Sequence, residues 1–388
     1  MAYPLAGDSW NQDELDAIQR VAASGRFTMG ERVREFERAF AARTGSRHAV
    51  MVNSGSSANL IAVASLFYKK DRPLQRGDEV IVPAISWATT YHPLQQYGLK
   101  LRFVDVDLET LNADIEQLER ALTPRTRMIV AVSILGNPCE LARMRRLCDE
   151  RGIYLLEDNC ESMGATLDGR QCGSFGDFGT FSTFFSHHIS TIEGGVLVTD
   201  DDELHQLAVC LRAHGWTRDL PEDSPLFERR ADDFYEGYRF ILPGYNVRPT
   251  ELGGAVGLSQ LAKADAMIEA RRRNAGFFHD LFANDPRFLL QKENGRSSWF
   301  SFTMVVRPEY GPGRGPILER LARAGVEFRI ITGGCFLRHD VIRHFDHEVF
   351  ESTKNADLAH DRGFFVGNLP RDLRPELELL HRALRDDA

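Results

Sequence analysis

Apolar residues recur along the chain with two spacings, and the spacing of three to four residues that is typical of amphipathic helices comes first. A helix is predicted between a possible cap at Asn11 and a glycine stop at Gly25. Its expected apolar face comprises Leu15, Ile18, Val21 and Ala22. A second helix is expected before Gly45, with an inner face that comprises Val33, Phe36 and Phe40. Two amphipathic helices therefore precede the rest of the predicted fold.

After the second helix, short apolar runs alternate with stretches of helical periodicity. The predicted strands are 48–52, 79–83, 101–106, 128–134, 153–156 and 195–198. The predicted helices between them are 56–68, 115–122, 140–151 and 203–212. Strands that alternate with helices predict an α/β fold with a largely parallel sheet. Ligands of such sheets bind beyond the carboxyl ends of the strands.

The pattern changes near residue 250. A helix rich in small residues is expected over 251–263 and a long helix continues to about residue 274. Strands follow near 300–306 and 326–331, and helices near 317–324 and 375–384. We therefore predict a large domain with N-terminal helices over residues 1–250 and a small α+β domain over residues 251–388.

Composition and charge exclude several classes of partner. The 388 residues are 43% hydrophobic, with a formal net charge of −9 at pH 7. The sequence has no basic stripe that could follow a phosphate backbone, so a nucleic-acid partner is not expected. The six cysteines are scattered without a Cys-x-x-Cys pair, which argues against an iron–sulfur cluster. Neither a signal peptide nor an apolar run long enough to span a bilayer is found. These features predict a protein of the reducing cytoplasm without a membrane partner.

The segment Ser54–Ser57 lies between a predicted strand and a predicted helix. This is a phosphate-binding arrangement, because free amide groups and the helix dipole meet at the turn. Gly55 lets the backbone approach a ligand, and the hydroxyl group of Ser56 adds a donor. By itself the motif is more often an ordinary serine-capped helix. Its interpretation therefore depends on the rest of the site.

Three segments taken together, 54–59, 157–161 and 180–195, resemble the pyridoxal-phosphate (PLP) site of the sugar-nucleotide aminotransferase and dehydratase family. The resemblance runs nearly from end to end and includes 27–30, 135–138, 214–218, 244–249 and 365–368. It implies fold-type I of the PLP enzymes, the aspartate aminotransferase-like α/β fold. The cofactor would bind to the large domain, which has the mainly parallel sheet.

In this interpretation, four further side chains would surround the cofactor. Asp158 ends a buried strand, where a carboxylate needs a cation, and a pyridinium nitrogen would supply one. Trp87 would stack on the ring, and Ser182 would add a hydroxyl group to the phosphate cup. Glu161 replaces a glutamine or histidine that lies near the cofactor's phenolic oxygen in many family members. The alternative is a loop start for Asp158, a core tryptophan for Trp87, a strand serine for Ser182 and a surface glutamate for Glu161.

His187 occupies the position of the family's cofactor-binding lysine, six residues before the glutamate of Glu193–Gly195. Imidazole does not form the lysine's covalent link, but it can move protons near neutral pH. No lysine lies between Lys100 and Lys263, so PLP or pyridoxamine phosphate (PMP) would be held non-covalently. A metal pair with His188 is disfavoured, because neighbouring side chains point in opposite directions and no third ligand is suitably spaced.

The resemblance is strongest to the sugar 3-dehydratase branch, which also has a histidine at this position. It implies removal of the 3-hydroxyl group from a nucleotide-linked 4-keto-6-deoxy sugar, with GDP as the favoured nucleotide, release of ammonia and recovery of PMP from L-glutamate. It also implies a homodimer with the active site at the interface, where Asn246 reaches the partner's phosphate. His214, Arg248 and Arg329 are candidates for binding the substrate. An ordinary ion pair is the alternative for both arginines.

Two other functions stay open on the sequence. One is a sugar-nucleotide 4-aminotransferase of the same fold that uses histidine in place of lysine. The other is a non-catalytic sensor that binds PLP or PMP as a signal. The products formed from a 4-keto sugar nucleotide and glutamate separate an aminotransferase from a dehydratase, and a single-turnover assay with PMP identifies a sensor.

Overall fold

The computed structural model describes residues 2–311 and 313–385. In this part of the chain the helices are α1 (Gln12–Ser24), α2 (Glu31–Thr44), α3 (Gly55–Tyr68), α4 (Ala88–Gln96), α5 (Ile115–Ala121), α6 (Leu141–Arg151), α7 (Asp202–Arg212), α8 (Asp233–Glu236), α9 (Glu251–Phe282), α10 (Gly315–Arg323), α11 (Lys354–Arg362) and α12 (Arg374–Arg385). The strands are β1 (His48–Val52), β2 (Glu79–Pro83), β3 (Lys100–Val104), β4 (Thr126–Val132), β5 (Tyr154–Asp158), β6 (Thr166–Leu167), β7 (Arg170–Gln171), β8 (Phe178–Ser182), β9 (Gly195–Thr199), β10 (Phe288–Leu290), β11 (Ser301–Val306), β12 (Phe328–Arg329), β13 (His347–Val349) and β14 (Gly363–Gly367). No helix of the described residues combines the length and the apolar character needed to cross a membrane.

The main sheet has eight strands in the order β1-β9-β8-β5-β4-β2-β3-β13. All pairs from β8 to β13 in this order are parallel, and β9 is antiparallel to both of its neighbours. Strand β5 is buried along its whole length, as expected for an unbroken apolar strand inside a parallel sheet. The predicted largely parallel sheet is confirmed. Asp158 and Ser182 lie at the carboxyl ends of two neighbouring strands, β5 and β8.

Helix α1 has the predicted ends but a different buried face. Asn11 caps it, and Gly25 ends it in the left-handed conformation. Its buried side chains are Glu14, Ala17 and Val21. The expected apolar face is wrong at Ala22, which is exposed, and at Leu15, which is 48% exposed. The reason is that α1 packs on α9 through small side chains and through an ion pair between the buried Glu14 carboxylate and Lys263 Nζ (2.6 Å).

The N-terminus of α2 is closed by a carboxylate from a distant part of the chain. Glu251, in the first turn of α9, accepts hydrogen bonds from the backbone N–H groups of Gly30 and Arg32, both at 2.7 Å. A carboxylate in this position also interacts favourably with the helix dipole. A Cβ atom on Gly30 would lie 3.1 Å from the carboxylate, so glycine keeps the approach open. The contact fixes α2 to α9.

A second sheet, with four antiparallel strands in the order β10-β11-β14-β12, forms the C-terminal part. The strand predicted over 326–331 is shorter because the chain turns at Ile331, where Thr332 has a φ of 40°. The two helices predicted over 251–274 are one helix, α9, of 32 residues. Strand β13 returns to the main sheet, and Tyr3 pairs with Val326. The division at residue 250 stays a prediction, and its ranges include residues 1, 312 and 386–388, which lie outside the described part.

Candidate active site

The carboxylate of Asp158 ends β5 and is 6% exposed. Its Oδ2 atom accepts hydrogen bonds from Asn59 Nδ2 (2.8 Å) and Thr90 Oγ1 (2.7 Å), and Oδ1 accepts one from the N–H group of Cys160 (3.2 Å). Within the described residues no basic side chain pairs with it. A buried carboxylate held only by neutral donors favours a cationic ligand, such as a protonated ring nitrogen.

The N-terminus of α3 forms a cup with the end of β8. Ser54 caps the helix by accepting a hydrogen bond from the first turn (3.0 Å), so the serine-capped interpretation is also true. Gly55 lies so close to β8 that a Cβ atom would be 2.7 Å from Ser182 Cβ. Ser56 Oγ donates to Thr89 Oγ1 (2.9 Å), at the start of α4. The three predicted residues of the cup are thus brought together where helix N–H groups can bind an anion.

Trp87 stands at the start of α4 and is 59% exposed, so it is not a core tryptophan. In the first turn of the same helix, Thr90 donates to Asp158, and its hydroxyl oxygen lies 2.7 Å from that of Ser86. These contacts anchor the beginning of α4 beside Asp158. Trp87 directly precedes this anchored turn, and its side chain is exposed.

Glu161 is a partly buried carboxyl group that is held by two residues in the left-handed conformation. Its Oε2 atom accepts hydrogen bonds from the N–H group of Leu135 (2.9 Å) and from Thr332 Oγ1 (3.3 Å). The φ angles of these residues are 53° and 40°, values that bulky and branched side chains rarely adopt. Burial raises the pKa of Glu161 to about 7, and the charge of Asp158 also acts to raise it. Glu161 is therefore not a surface glutamate.

The imidazole of His187 packs between aromatic rings. Its centroid lies 5.2 Å from that of Phe300 and 5.9 Å from that of Phe184. The Nδ1 atom is buried without a hydrogen-bond partner, which leaves Nε2 as the nitrogen with access to the site. Burial, together with the charge of Arg271, lowers the pKa of His187 to about 4. The ring is therefore neutral at pH 7 and can accept a proton.

A chain of contacts joins His187 to the carboxyl group of Glu161. The N–H group of Phe300 donates to the carbonyl oxygen of Leu135 (2.9 Å), and the N–H group of Leu135 donates to Glu161. Because the ring of Phe300 packs against His187, the C-terminal part of the chain forms one wall of the site. The histidine and Glu161 belong to one connected group.

His188 differs from its neighbour, because its side chain is 1% exposed. Its Nε2 atom lies 3.2 Å from the carbonyl oxygen of Ser298, and burial holds its pKa well below the ordinary value. Residues 2–311 and 313–385 contain no group of three or more His, Cys, Asp or Glu side chains that could hold a metal ion. His188 therefore packs as a core residue.

The lysine side chains of the described residues lie away from this group. Four of the six form ion pairs elsewhere: Lys69 with Asp201 (2.5 Å), Lys100 with Glu348 (2.5 Å), Lys263 with Glu14 (2.6 Å) and Lys292 with Glu109 (2.9 Å). Lys70 follows the C-terminal end of α3, and Lys354 begins α11. Imidazole is therefore the basic group of the loop after β8.

Four predicted residues have no hydrogen bond to these side chains within the described part of the chain. Asn246 and Arg248 are exposed, and Arg248 Nε donates to Asn246 Oδ1 (3.0 Å). His214 is exposed with a φ of 64°, and Arg329 is exposed on β12. Their roles stay predictions.

Four residues of the site were not predicted: Asn59, Thr90, Leu135 and Thr332. Asn59 had a signal, because it belongs to the same segment as Gly55 and lies one turn further along α3. Leu135 lies in the 135–138 segment of the resemblance, but its contact with Glu161 was not predicted. Thr90 and Thr332 had no signal, since their contacts join positions far apart in the sequence. Left-handed conformations of Leu135 and Thr332 in particular cannot be read from residue types that disfavour them.

The arrangement fits a PLP-type cofactor. The helix N-terminus that closes on Ser182 is a cradle that a side chain at Gly55 would fill. Within the described residues Asp158 is a buried carboxylate without a cation, and the Nε2 atom of His187 has no hydrogen-bond partner. A phosphate, a protonated ring nitrogen and a proton donor or acceptor are the groups that would satisfy the three positions.

A model of the DegT/DnrJ/EryC1/StrS aminotransferase family matches residues 8–372. The chain is 47% identical over 385 residues to GDP-4-keto-6-deoxy-D-mannose 3-dehydratase of Yersinia pseudotuberculosis, a match that covers 99% of this chain and 98% of that protein. Both matches span the candidate site and the C-terminal sheet.

Two crystal structures of GDP-4-keto-6-deoxymannose-3-dehydratase are 48% identical to this chain, with a TM-score of 0.97. Each match covers 99% of this chain and 100% of the other. One structure is a histidine-to-asparagine mutant with bound GDP-perosamine, and the other holds a trapped PLP–glutamate geminal diamine. The predicted aspartate aminotransferase-like fold is confirmed.

Proposed function

Because the chain belongs to the DegT/DnrJ/EryC1/StrS aminotransferase family, we propose that it uses the family's cofactor to dehydrate a sugar nucleotide rather than to aminate it. The substrate is GDP-4-keto-6-deoxy-D-mannose, which loses its 3-hydroxyl group to give the 4-keto-3,6-dideoxy sugar and ammonia. L-Glutamate restores PMP. The single observation that carries this assignment is the imidazole of His187, with its accessible Nε2, where an aminotransferase needs a primary amine.

Residues from several elements around the site would hold the cofactor. The N–H groups at Gly55 and the hydroxyl groups of Ser56 and Ser182 would bind its phosphate, and Asp158 would bind its ring nitrogen. Trp87 would cover one face of the ring. When bound, the cofactor supplies an amino group and an electron sink.

His187 moves protons in this proposal. A neutral imidazole can accept a proton at Nε2, and its pKa of about 4 in the protein makes the protonated ring a better proton donor than an ordinary imidazolium. The proton can then pass to the departing 3-hydroxyl group, which needs a donor to leave as water. Phe184 and Phe300 keep the ring in place and limit its contact with water.

The imidazole of His187 also disfavours a competing pathway, the transamination that releases an aminosugar. A lysine amine would hold the cofactor covalently, and the lysines that form ion pairs elsewhere cannot take over that role. The cofactor therefore stays a non-covalent ligand that depends on Asp158 and the cup for its affinity. This favours loss of the hydroxyl group over release of an aminosugar.

The test is product analysis with GDP-4-keto-6-deoxy-D-mannose, PMP and L-glutamate. We expect ammonia and a 3-deoxy sugar from the native chain, and a decrease of about 10²- to 10⁴-fold in turnover for His187→Asn, the range for general acid–base groups. His344→Asn, at an exposed histidine, is the control and should keep native turnover. An aminosugar product would identify an aminotransferase, and bound cofactor without any turnover would identify a sensor.

We also propose that the chain acts as a homodimer in which Asn246 binds the phosphate of the partner's cofactor. In support, Asn246 is exposed, and apolar side chains next to the His187 loop are exposed as well: Phe184 (39%), Phe185 (43%) and Ile192 (57%). Exposed apolar surface beside a site is typical of an interface.

Mixed dimers test this arrangement. His187→Asn and Asn246→Ala should each impair turnover as homodimers. Coexpression of the two variants should restore activity, because a mixed dimer contains one site with both native residues. If the two residues served the same protomer's site, every site in the mixture would stay defective, and activity would not recover.

A cytoplasmic location is part of the same proposal. All six cysteines are free thiols, and five of them are buried. Free thiols without disulfides are typical of a reducing compartment.

A further inference from the structure

Arg271, on α9, is a buried guanidinium group that has no acidic partner among the described residues. It is 4% exposed, and within the described residues it forms no ion pair. Its Nη1 atom donates to the carbonyl oxygens of Phe300 (3.1 Å) and Asn368, and its Nε atom has no partner. Burial lowers its pKa to about 10, so it is still charged at neutral pH. An uncompensated buried charge is costly for folding.

The charge is held in a fixed place. The side chain of Asn368 donates to the carbonyl oxygens of Arg271 (3.1 Å) and Trp299 (2.7 Å). Asn274 donates in turn to Asn368 Oδ1 (3.1 Å). These bonds lock α9 to the segment that contains Phe300.

Phe300 connects this charge to the histidines. Its carbonyl oxygen accepts from Arg271, and its ring packs 5.2 Å from the ring of His187 and 5.7 Å from that of His188. Within the described residues Arg271 is the charged group that acts on His187, whereas His188 is affected by Arg271, His187 and Arg272. Within the described residues, no carboxylate on the loop, on the Phe300 segment or on α9 compensates the effect that the positive charge of Arg271 has on His187.

We propose that Arg271 is a positioning residue that acts on His187 through Phe300: it fixes the aromatic wall behind the imidazole, and its charge adds to burial in disfavouring protonation of the ring. The inference rests on His187 being the base of the proposed function. The electrostatic part of this role does not require contact of Arg271 with substrate or cofactor.

The test measures the titration of His187 by NMR in cofactor-free protein labelled at histidine, with the resonance assigned from its loss in His187→Asn. We expect a midpoint well below the ordinary value of about 6.5 in the native chain. Arg271→Gln, which removes the charge, should raise the midpoint by about one pH unit, the lower end of the range for nearby charges. Arg271→Lys keeps the charge and should retain a midpoint close to the native one.

Arg272→Gln is the matched control, because this neighbouring guanidinium group binds the carbonyl oxygens of Ser297 (2.8 Å) and Gly164 (2.9 Å) and does not act on His187. Equal midpoints in Arg271→Gln and Arg271→Lys would overturn the proposal. If Arg271→Gln does not fold, a native midpoint at or above the ordinary value overturns it equally. A shifted titration in a chain without dehydratase turnover would reject the proposed function and leave the electrostatic role standing.

Discussion

At the scale of single residues, two carboxyl groups three positions apart have different environments. Asp158 receives three hydrogen bonds, from Asn59, Thr90 and a backbone N–H group. Glu161 receives two, and burial raises its pKa to about 7. Glu161 can therefore change its charge near neutral pH within the candidate site.

The raised pKa of Glu161 makes the stability of the cofactor-free protein depend on pH. An acid whose pKa is raised by folding binds its proton more tightly in the folded state than in the unfolded state. The protonated Glu161 therefore contributes fully to stability below the unfolded pKa of about 4.3, and this contribution is lost as the pH rises through the folded pKa of about 7. Glu161→Gln cannot lose a proton. We expect the native chain to lose stability relative to Glu161→Gln between pH 5 and pH 8, as measured by urea denaturation.

The control for this prediction is Glu150→Gln, at an exposed position on α6. Its stability should follow that of the native chain over the same pH range. Parallel curves for the native chain and Glu161→Gln would contradict the raised pKa.

At the scale of elements, the phosphate cup depends on how closely α3 approaches the sheet. Gly55 lets the first turn of α3 approach the ends of β8 and β5. An added Cβ atom would lie 2.7 Å from Ser182 Cβ and 2.9 Å from the Sγ atom of Cys160, which follows β5. Gly195, paired with Val52 of β1 and with Ser182 of β8, lies against the carbonyl group before this turn. Two glycines thus set the distance between helix and sheet.

Gly55→Ala should push α3 away from β8. We expect a loss of stability of about 1–3 kcal/mol, as for other overpacked sites, together with weaker binding of PMP. Gly276→Ala is the matched variant, because Gly276 lies inside α9 with no atom near an added Cβ. It should increase stability by about 0.5–1 kcal/mol and leave PMP binding unchanged. Urea denaturation and a PMP titration measure both effects, and equal behaviour of the two variants would contradict the close approach.

At the scale of the whole molecule, the C-terminal part completes the core of the N-terminal part. Strand β13 extends the main sheet beside β3. Phe336 stacks on Tyr91 of α4 with centroids 4.2 Å apart, and its N–H group donates to the carbonyl oxygen of Ala84. Thr332 contributes a hydroxyl group to Glu161 in the site. These contacts predict that the chain folds as one cooperative structure, and they place a residue of the C-terminal part beside Glu161 in the candidate site.

A fragment of residues 1–250 tests this interpretation. Without β13 and Phe336 it exposes the edge of β3 and apolar core surface, so we expect no cooperative unfolding transition by circular dichroism. The full chain under the same conditions should show one transition. A fragment that unfolds cooperatively and binds PMP would show that the large domain is independent.

The sequence by itself determined the elements whose signals are local. Caps at Asn11 and Ser54, glycine stops at Gly25 and Gly45 and the apolar run of β5 predicted their elements to within a few residues. The resemblance of three short segments predicted the fold class, but it did not predict Asn59 and Thr90, the side chains that donate to Asp158. Such signals are readable because hydrogen bonds at helix ends and side-chain periodicity depend on neighbours in the chain.

Only the tertiary structure decided the buried face of α1, the return of β13 to the main sheet, the left-handed conformations of Leu135 and Thr332, and the charge of Arg271 behind Phe300. Each depends on groups that are far apart in the sequence and become neighbours only after folding. A single residue type does not reveal whether its surroundings will bury it, strain it or leave its charge unpaired. The physical environment that tunes His187 is therefore a property of the fold.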